Sequence, residues 1–403
     1  MTKALFLTQE NPFPPRGSDK FRDFHVLRLL CEQMDSVEVL CFAEGSGPNQ
    51  LKNASEEIPA NLTISEMEKH TPGFLHRLFQ PRALNPYSDC IEDALEKRAE
   101  PGKLLWISRL LMASCVPWAR SLGYHVILDE HNVESAVLKQ NLGKSPLKKI
   151  PGFLIAAQAS YYESRFCLKS NAVVAASELD AKRLARIAPG AEVHLIPNTV
   201  DHESFEPARS VQGKTLFFSG SLSHPTNVEG LKWFIAEIVP RLRARLGDRI
   251  PPIVVAGSNP SVELQGVLRR QGITVHANPP SMIPYFSNAA VVFVPIRSGG
   301  GTPLKILEAM AAGKPVVSTG KATEGLVLAP TYDILIADNA DSFATAILRL
   351  LENPQLRTDM GIHAAKTVLS RYDWRCAREV ISDLLRSLPA RAMTPQPGSS
   401  SRT

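Results

Sequence analysis

The chain has 403 residues, too long for one ordinary hydrophobic core and suited to two domains of roughly 150 to 200 residues. Its net charge of +5 is small and no basic low-complexity tract accompanies it, which argues against a nucleic-acid binder and leaves a weak preference for anionic partners. Six cysteines without a C-x-x-C pair suggest neither a zinc site nor a disulfide framework, and no run approaches the roughly 20 apolar residues that span a bilayer, so a cytoplasmic protein is expected.

Lys3 to Thr8 reads as a strand, Asp19 to Gln33 as an amphipathic helix and Val37 to Phe42 as a second strand, a βαβ opening. Residues 45–100, rich in Pro, Glu and Asn, carry no clear period. The alternation resumes with a strand at Leu104 to Ile107, a helix over Leu110 to Leu122 and a strand over Tyr124 to Asp129, which His131 follows closely. A long helix over Pro151 to Lys169, a strand at Ala172 to Ala176, a helix capped by Ser177 and a strand at Glu192 to Ile196 complete this half. Pro197 to Asp201 and Glu206 to Gly213 then break the period as an interdomain linker would.

The second half restarts with a strand at Thr215 to Ser219, a helix near Val228 to Arg245, a strand at Ile253 to Ala256, a helix near Ser261 to Arg270 and a strand at Ile273 to His276. The most informative stretch follows, from the apolar run Val291 to Ile296 through Gly299, Gly300 and Gly301 to Pro315. It predicts strand, glycine turn and helix, with Thr302 as N-cap, Pro303 where a helix can lack an N–H, and Gly313 with Pro315 as the stop. Free N–H groups, the helix dipole and the Lys305 cation would converge on the turn, an arrangement that binds phosphate. Helices over Asp341 to Leu351 and Leu356 to Tyr372 finish the ordered chain. Two α/β series imply two doubly wound parallel sheets, divided here as 1–205 and 206–388, with 389–403 expected to be a disordered tail.

Several stretches together resemble the retaining glycosyltransferases of the GT-B fold, the large group usually called family four. They are Gly299 to Val317, Pro197-Asn198-Thr199-Val200-Asp201, Thr323-Glu324-Gly325-Leu326 and Phe218-Ser219-Gly220-Ser221. Pro12 to Arg22 and Asp129 to Ser135 look like a branch of that family seen in bacterial exopolysaccharide assembly. The resemblance implies an α/β GT-B architecture, with two Rossmann-like domains whose parallel sheets face an interdomain cleft, and C-terminal helices. It also implies transfer, with retention, of a sugar from a nucleotide-diphosphate sugar to a glycan or lipid-linked acceptor, without a cofactor or metal. No Asp-x-Asp, the signature of the metal-dependent alternative, occurs in the chain.

By the same resemblance, Glu308 bonds the donor's ribose hydroxyls, as an acceptor-only carboxylate can. Lys305 and Arg297, with backbone donors of Gly299, Gly300, Gly301 and Thr302, neutralise the departing diphosphate. His131 lies near the donor sugar, and Asn198 and Glu324 belong to cleft-lining loops. Gly17, Lys20 and Arg22 form a basic turn that either touches a phosphate or caps the next helix. The plainer alternatives are a Glu308–Lys305 surface pair, a solvated Lys305 and a structural histidine at 131. Asp129 and Glu130, adjacent on a strand, point to opposite faces and cannot flank one bond.

The sequence departs from the family in three places. Gly300 stands where many relatives have a glutamate, Pro303 where this branch often has an arginine, and Gly220 to Asn227 lacks the Arg and Lys frequent there. A nucleotide-sugar-binding scaffold and a sugar-nucleotide epimerase or hydrolase therefore stay open as rivals. Lys144, Lys148 and Lys149, interleaved with Leu142, Leu147, Ile150, Phe153 and Leu154, suggest peripheral contact with an anionic membrane at its inner face, or simply a solvated helix face.

Overall fold

The computed structural model describes residues 3–15, 18–43, 58–68, 88–140, 146–209, 213–299 and 304–391. These fall into two compact units, one holding the chain through Pro197 together with its last helix from Ala377, the other holding Asn198–Cys376. The division therefore comes at 197/198 where the sequence suggested 205/206, and the chain returns to the first unit at its end.

In the first unit the elements run β1 (Lys3–Leu7), α1 (Ser18–Gln33), β2 (Ser36–Phe42), β3 (Leu62–Met67), α2 (Ser88–Glu96), β4 (Leu104–Ser108), α3 (Val116–Ser121), β5 (His125–Glu130), α4 (Glu134–Gln140), α5 (Pro146–Lys169), β6 (Ala172–Ala175), α6 (Glu178–Ile187) and β7 (Val193–Leu195). The parallel sheet has the order β3-β2-β1-β4-β5-β6-β7. Every residue of β4 and β6 is buried, as both-face coverage by helices requires, which is why these strands read as continuous apolar runs. Ser177 caps α6 as expected, accepting a bond from the Asp180 N–H at 3.0 Å.

The second unit contains α7 (Glu206–Arg209), β8 (Thr215–Ser219), α8 (Pro225–Trp233), α9 (Val239–Leu246), β9 (Ile253–Gly257), α10 (Val262–Arg270), β10 (Thr274–Ala277), α11 (Ile283–Ser287), β11 (Ala289–Val294), α12 (Leu304–Ala311), β12 (Val316–Ser318), β13 (Leu335–Ile336), α13 (Ala340–Glu352) and α14 (Pro354–Arg371). Its sheet order, β10-β9-β8-β11-β12-β13, repeats the first unit's and is the Rossmann order. A turn of π-helix at Phe234–Ile238 joins α8 to α9, so the long helix expected over this region is real but re-phased in its middle. The unit's two ends are bonded to each other. Val200 bridges to Asp373, with Val200 donating to the Tyr372 carbonyl at 2.9 Å and Trp374 donating to the Val200 carbonyl at 3.1 Å.

Several elements were missed in the sequence, namely β3, α2, α4, α7, α11 and β13, and also the last helix. Helix α15 (Ala377–Arg391) buries Ala377, Ile381, Leu384 and Leu388, a single stripe at helical spacing, and Arg378 meets Glu32 of α1 through bonds of 2.9 and 3.0 Å. The tail expected from 389 begins inside this helix, and beyond Arg391 it lies outside the described residues.

Candidate functional site

In a Rossmann sheet the reversal of strand order opens a crevice beyond the carboxyl ends of the strands. In the second unit that point lies between β8 and β11, so the loops after these two strands should carry the chemistry. They do. After β8 the chain turns at Gly220, whose φ of 146° suits glycine, and Gly220 leaves space filled by the Lys305 ammonium. A Cβ at 220 would stand 2.7 Å from Lys305 Nζ. A second glycine makes this approach possible, because a Cβ on Gly257 would collide with the Gly220 carbonyl at 1.7 Å.

Lys305 donates to Asn227 Oδ1 on α8, and Asn227 Nδ2 in turn donates to the Ser221 carbonyl at 2.7 Å. The ammonium also lies 4.6 Å from the centre of the Phe218 ring, a cation–π contact on a fully buried side chain. The loop that lacks its own Arg or Lys thus receives a cation from 78 residues away. Burial pushes the Lys305 pKa down to about 7 against the opposing pull of Glu308.

Glu308, one turn further along α12, shows the converse. Burial pushes its carboxyl up to about 7, with Lys305 opposing, and among the described residues no donor reaches that carboxylate within hydrogen-bond distance. The plain i,i+3 pair that Lys305 and Glu308 could have formed is not made, since Lys305 turns to Asn227. A half-buried carboxylate with no donor among the described residues, beside a partly desolvated cation, is free to accept from a polar ligand.

Gly299 adopts φ 94° and packs so tightly that a Cβ would stand 2.7 Å from Thr226 Cγ2, while the Ser298 hydroxyl donates to Glu229. Arg297 is exposed and lies over the Trp233 ring at 4.9 Å. Glu324 follows β12 and pairs with Lys321 at 2.7 Å. Asn198 is half-buried at the start of the unit. Gly17, Gly300, Gly301 and Thr302 lie outside the described residues.

The first unit presents its own polar group beyond the carboxyl ends of β4 and β5. His131 is buried, with Nε2 3.1 Å from the Ser108 hydroxyl and 3.3 Å from Asp23 Oδ1. Asp23 also accepts from Ser108 at 2.7 Å and from Thr8 at 2.7 Å. Burial alone would raise the Asp23 pKa, but the bond and charge of His131, the charge of Arg109 and the Ser108 hydroxyl together bring it below the ordinary carboxylate range. Arg109, a non-glycine residue at φ 76°, holds the turn that follows β4.

Arg22 is a correction to the sequence reading. Its guanidinium is buried against Asp129, with a shortest contact of 2.6 Å, and donates to the Ile196 carbonyl at 2.9 Å, so it neither reaches for a phosphate nor caps a helix. Lys20 pairs with Glu10 at 3.5 Å. Asp129 and Glu130 do face apart. Both Glu130 oxygens are buried without a partner beside Glu163, and burial and the Glu163 charge hold Glu130 well above the usual range. Glu163 is itself pushed up to about 7 by burial, against a Ser135 hydroxyl bond of 2.5 Å.

Sequence reasoning did not find Asp23, Ser108, Arg109 or Asn227. Asn227 had a usable signal, being a polar residue two positions into a proline-started helix beside a cation-poor loop; the others depend on tertiary neighbours.

The fold is that of the GT-B glycosyltransferases, α/β with two parallel-sheet Rossmann-like domains, and residues 213–353, wholly within the second unit, match the family described as Glycosyl transferases group 1. Sucrose-phosphate synthase from Thermosynechococcus elongatus superposes with a TM-score of 0.74 at 16% identity, covering 97% of this chain and 100% of that one. Anabaena HepE in complex with UDP-glucose gives 0.68 at 14% identity, covering 96% and 100%. Among curated proteins, a phosphatidyl-myo-inositol mannosyltransferase of Mycolicibacterium smegmatis is 32% identical over 213 residues, 50% of this chain and 53% of that protein. A GDP-mannose-dependent alpha-(1-6)-phosphatidylinositol monomannoside mannosyltransferase of the same organism is 26% identical over 220 residues, 49% and 57% of the two chains. The chain spans about half the length of the curated relatives it matches.

Proposed function

We propose that the protein is a glycosyltransferase that moves a sugar from a nucleotide-diphosphate sugar to a lipid-linked or glycan acceptor, with retention of configuration. The observation that carries this reading is the Glu308 carboxylate, without a donor among the described residues and beside the Lys305 cation, at the strand-order reversal of the unit that matches Glycosyl transferases group 1.

In this reading Glu308 accepts the ribose hydroxyls and Lys305 faces the diphosphate. As the glycosidic bond to the donor phosphate breaks, negative charge grows on the leaving oxygen, and the ammonium stabilises it more than the ground state. Lys305 is already aimed by Asn227 and Phe218, so little reorganisation is needed at the moment of reaction. His131, fixed by Asp23 and Ser108, is assigned to orienting the sugar rather than attacking it. Arg297, Gly17, Asn198, Glu324 and the backbone donors of Gly299, Gly300, Gly301 and Thr302 keep their donor-binding assignments within the proposal, as does independence from a metal cofactor.

The mannosyltransferase relatives and the UDP-glucose complex favour GDP-mannose and UDP-glucose as first donors to try. A lipid-linked acceptor fits the relatives that act on phosphatidylinositol species, and Phe153 and Leu154 stand 59% and 64% exposed on α5, where a peripheral membrane contact at the inner face would use them. No described helix is long and apolar enough to cross a membrane. A role in exopolysaccharide assembly remains part of the proposal.

The test is a thermal-shift screen against UDP-, GDP-, ADP- and dTDP-sugars, followed by transfer of labelled sugar to a lipid and glycan extract. The anomeric configuration of the product is then read by NMR. Stabilisation by one donor and an acceptor-dependent product of retained configuration are expected. Sugar release or isomerisation without acceptor would replace the reading with a hydrolase or epimerase, and binding without any turnover would replace it with a scaffold.

A further inference from the structure

The second unit contains a cavity of about 470 Å³ at the end of its sheet opposite Lys305 and Glu308. It is lined by residues at the starts of strands, Ala289 and Ala290 of β11 and Pro315 just before β12, whereas the donor-side loops follow the strand ends. With a rise of about 3.3 Å per residue, the length of β11 alone sets the two locations roughly 17 Å apart. This cavity is therefore not part of the site described above.

Its lining is one-signed. Arg209, Lys314, Arg357 and Lys366 border it together with His202, and no carboxylate does among the described residues. Glu203 and Glu206 are near enough to raise Arg209 against the lowering effect of burial, but they do not line the cavity. Three of the four cations are held in place by the fold. Arg209 donates through Nε to the Ala311 carbonyl at 2.9 Å and through Nη2 to the His202 carbonyl, and packs on Gly313, which takes φ 64°. Arg357 spends one nitrogen on the Leu350 and Leu351 carbonyls, at 2.7 and 3.0 Å, closing the last turn of α13. Lys314 is 3% exposed, reaches the Ser287 carbonyl at 3.2 Å, and burial brings its pKa down to about 8. Lys366 has no protein partner among the described residues.

Four like charges gathered around one hollow repel each other, and a bound anion removes that repulsion while satisfying the remaining N–H donors. The rest of the wall is Gly, Ala, Pro, Ile, Leu and the Thr358 hydroxyl, with no Phe, Tyr or Trp ring among the described lining residues and only the mostly buried His202 imidazole as a surface for a base. The volume suits one small molecule. We propose that this cavity is a second anion site, which takes a phosphomonoester of a small aliphatic or polyol body rather than a nucleotide.

The probe is glycerol 3-phosphate, titrated calorimetrically into the full chain and into Lys366→Glu, Arg357→Gln and Lys305→Ala. Lys366 is exposed and has no partner among the described residues, so its variant should keep the parent's circular dichroism and melting temperature even if Arg357→Gln loosens α13. Saturable binding to the parent and to Lys305→Ala, weakened about tenfold or more in Lys366→Glu, is the expected result. Binding lost in Lys305→Ala but unchanged in Lys366→Glu would assign the anion to the donor side and overturn the proposal, as would absence of saturable binding to the parent. Tighter binding of UDP than of glycerol 3-phosphate to Lys305→Ala, sensitive to Lys366→Glu, would also overturn it, since it would make the cavity a nucleotide site.

Discussion

The two units repeat one strand order and treat the space beyond it in opposite ways. In the first, the helix after β1 sends Asp23 into a group where the carboxylate is bonded by Thr8 and Ser108 and lies beside His131, while Arg22 and Asp129 close a buried pair alongside. In the second, the corresponding helix sends Asn227 to a lysine that came from beyond β11, and the half-buried carboxylate nearby has no donor among the described residues. Complete pairing makes a rigid wall; an incomplete set makes a receptor. The same topology thus supplies both, and the difference lies in which polar groups find partners inside the protein.

The most disruptive way to break this contrast is to unpair the wall. Arg22→Met leaves Asp129 buried and uncompensated, and should cost roughly 3–5 kcal/mol in denaturant unfolding. A loss below about 1 kcal/mol would mean the pair is no more than a surface-type contact.

In the second unit the large effect should fall on rate rather than stability. Lys305→Ala and Glu308→Ala should each lower transfer by about 100- to 1000-fold while the circular dichroism spectrum stays that of the parent. Glu308→Gln should leave the melting temperature at pH 8 equal to or above the parent's, because it removes a carboxylate whose charged form burial disfavours. Parent-like transfer by both alanine variants would show that the unsatisfied site is not the donor site.

A smaller effect sharpens the comparison through pH. With Lys305 near 7 in the free protein, the ammonium is lost as pH rises through that value, and a bound diphosphate should pull its pKa back up. Affinity for UDP or GDP should therefore fall as pH rises above about 7, with protons taken up on binding, and Lys305→Arg should flatten the profile. Calorimetry in buffers of different ionisation heat measures both quantities.

The smallest expected change concerns the exception within the first unit, the Glu130–Glu163 neighbours. Glu163 is raised from 4.5 to about 7, so the folded chain holds more protons than the unfolded one across that window and stability falls as pH rises through it. Glu163→Gln should consequently gain melting temperature relative to the parent at pH 8 and little at pH 5. An equal shift at both pH values would remove the carboxyl from this role.

Much of this was legible in the sequence, for an identifiable reason. Strands such as Thr215–Ser219 and Ala289–Val294 are buried on both faces, so their apolar runs are uninterrupted and stand out. The helix that carries Lys305 and Glu308 was legible because a glycine turn and a helix stop are local features. What was lost is what the third dimension decides. Arg22 beside a glycine reads as a ligand group until Asp129, 107 residues away, claims it. Helix α15 carried its stripe openly, but the sequence reading ended its helices at Tyr372 and took Pro389, which lies in the last turn of α15, as the start of a disordered tail. Asn227 could be seen as polar, not as the residue that would aim a lysine 78 positions later.

The stitched ends of the second unit bear on how the chain can be handled. With Val200 bonded to both Tyr372 and Trp374, entry and exit meet at one seam, and Asn198–Cys376 is an insert set into the first unit between β7 and α15. Such an insert has the connectivity of a cassette. Excised at 198 and 376 it should fold by itself and keep its nucleotide affinity, whereas a piece ending at 197 would leave the surface covered by Ile381, Leu384 and Leu388 open to water and prone to aggregate.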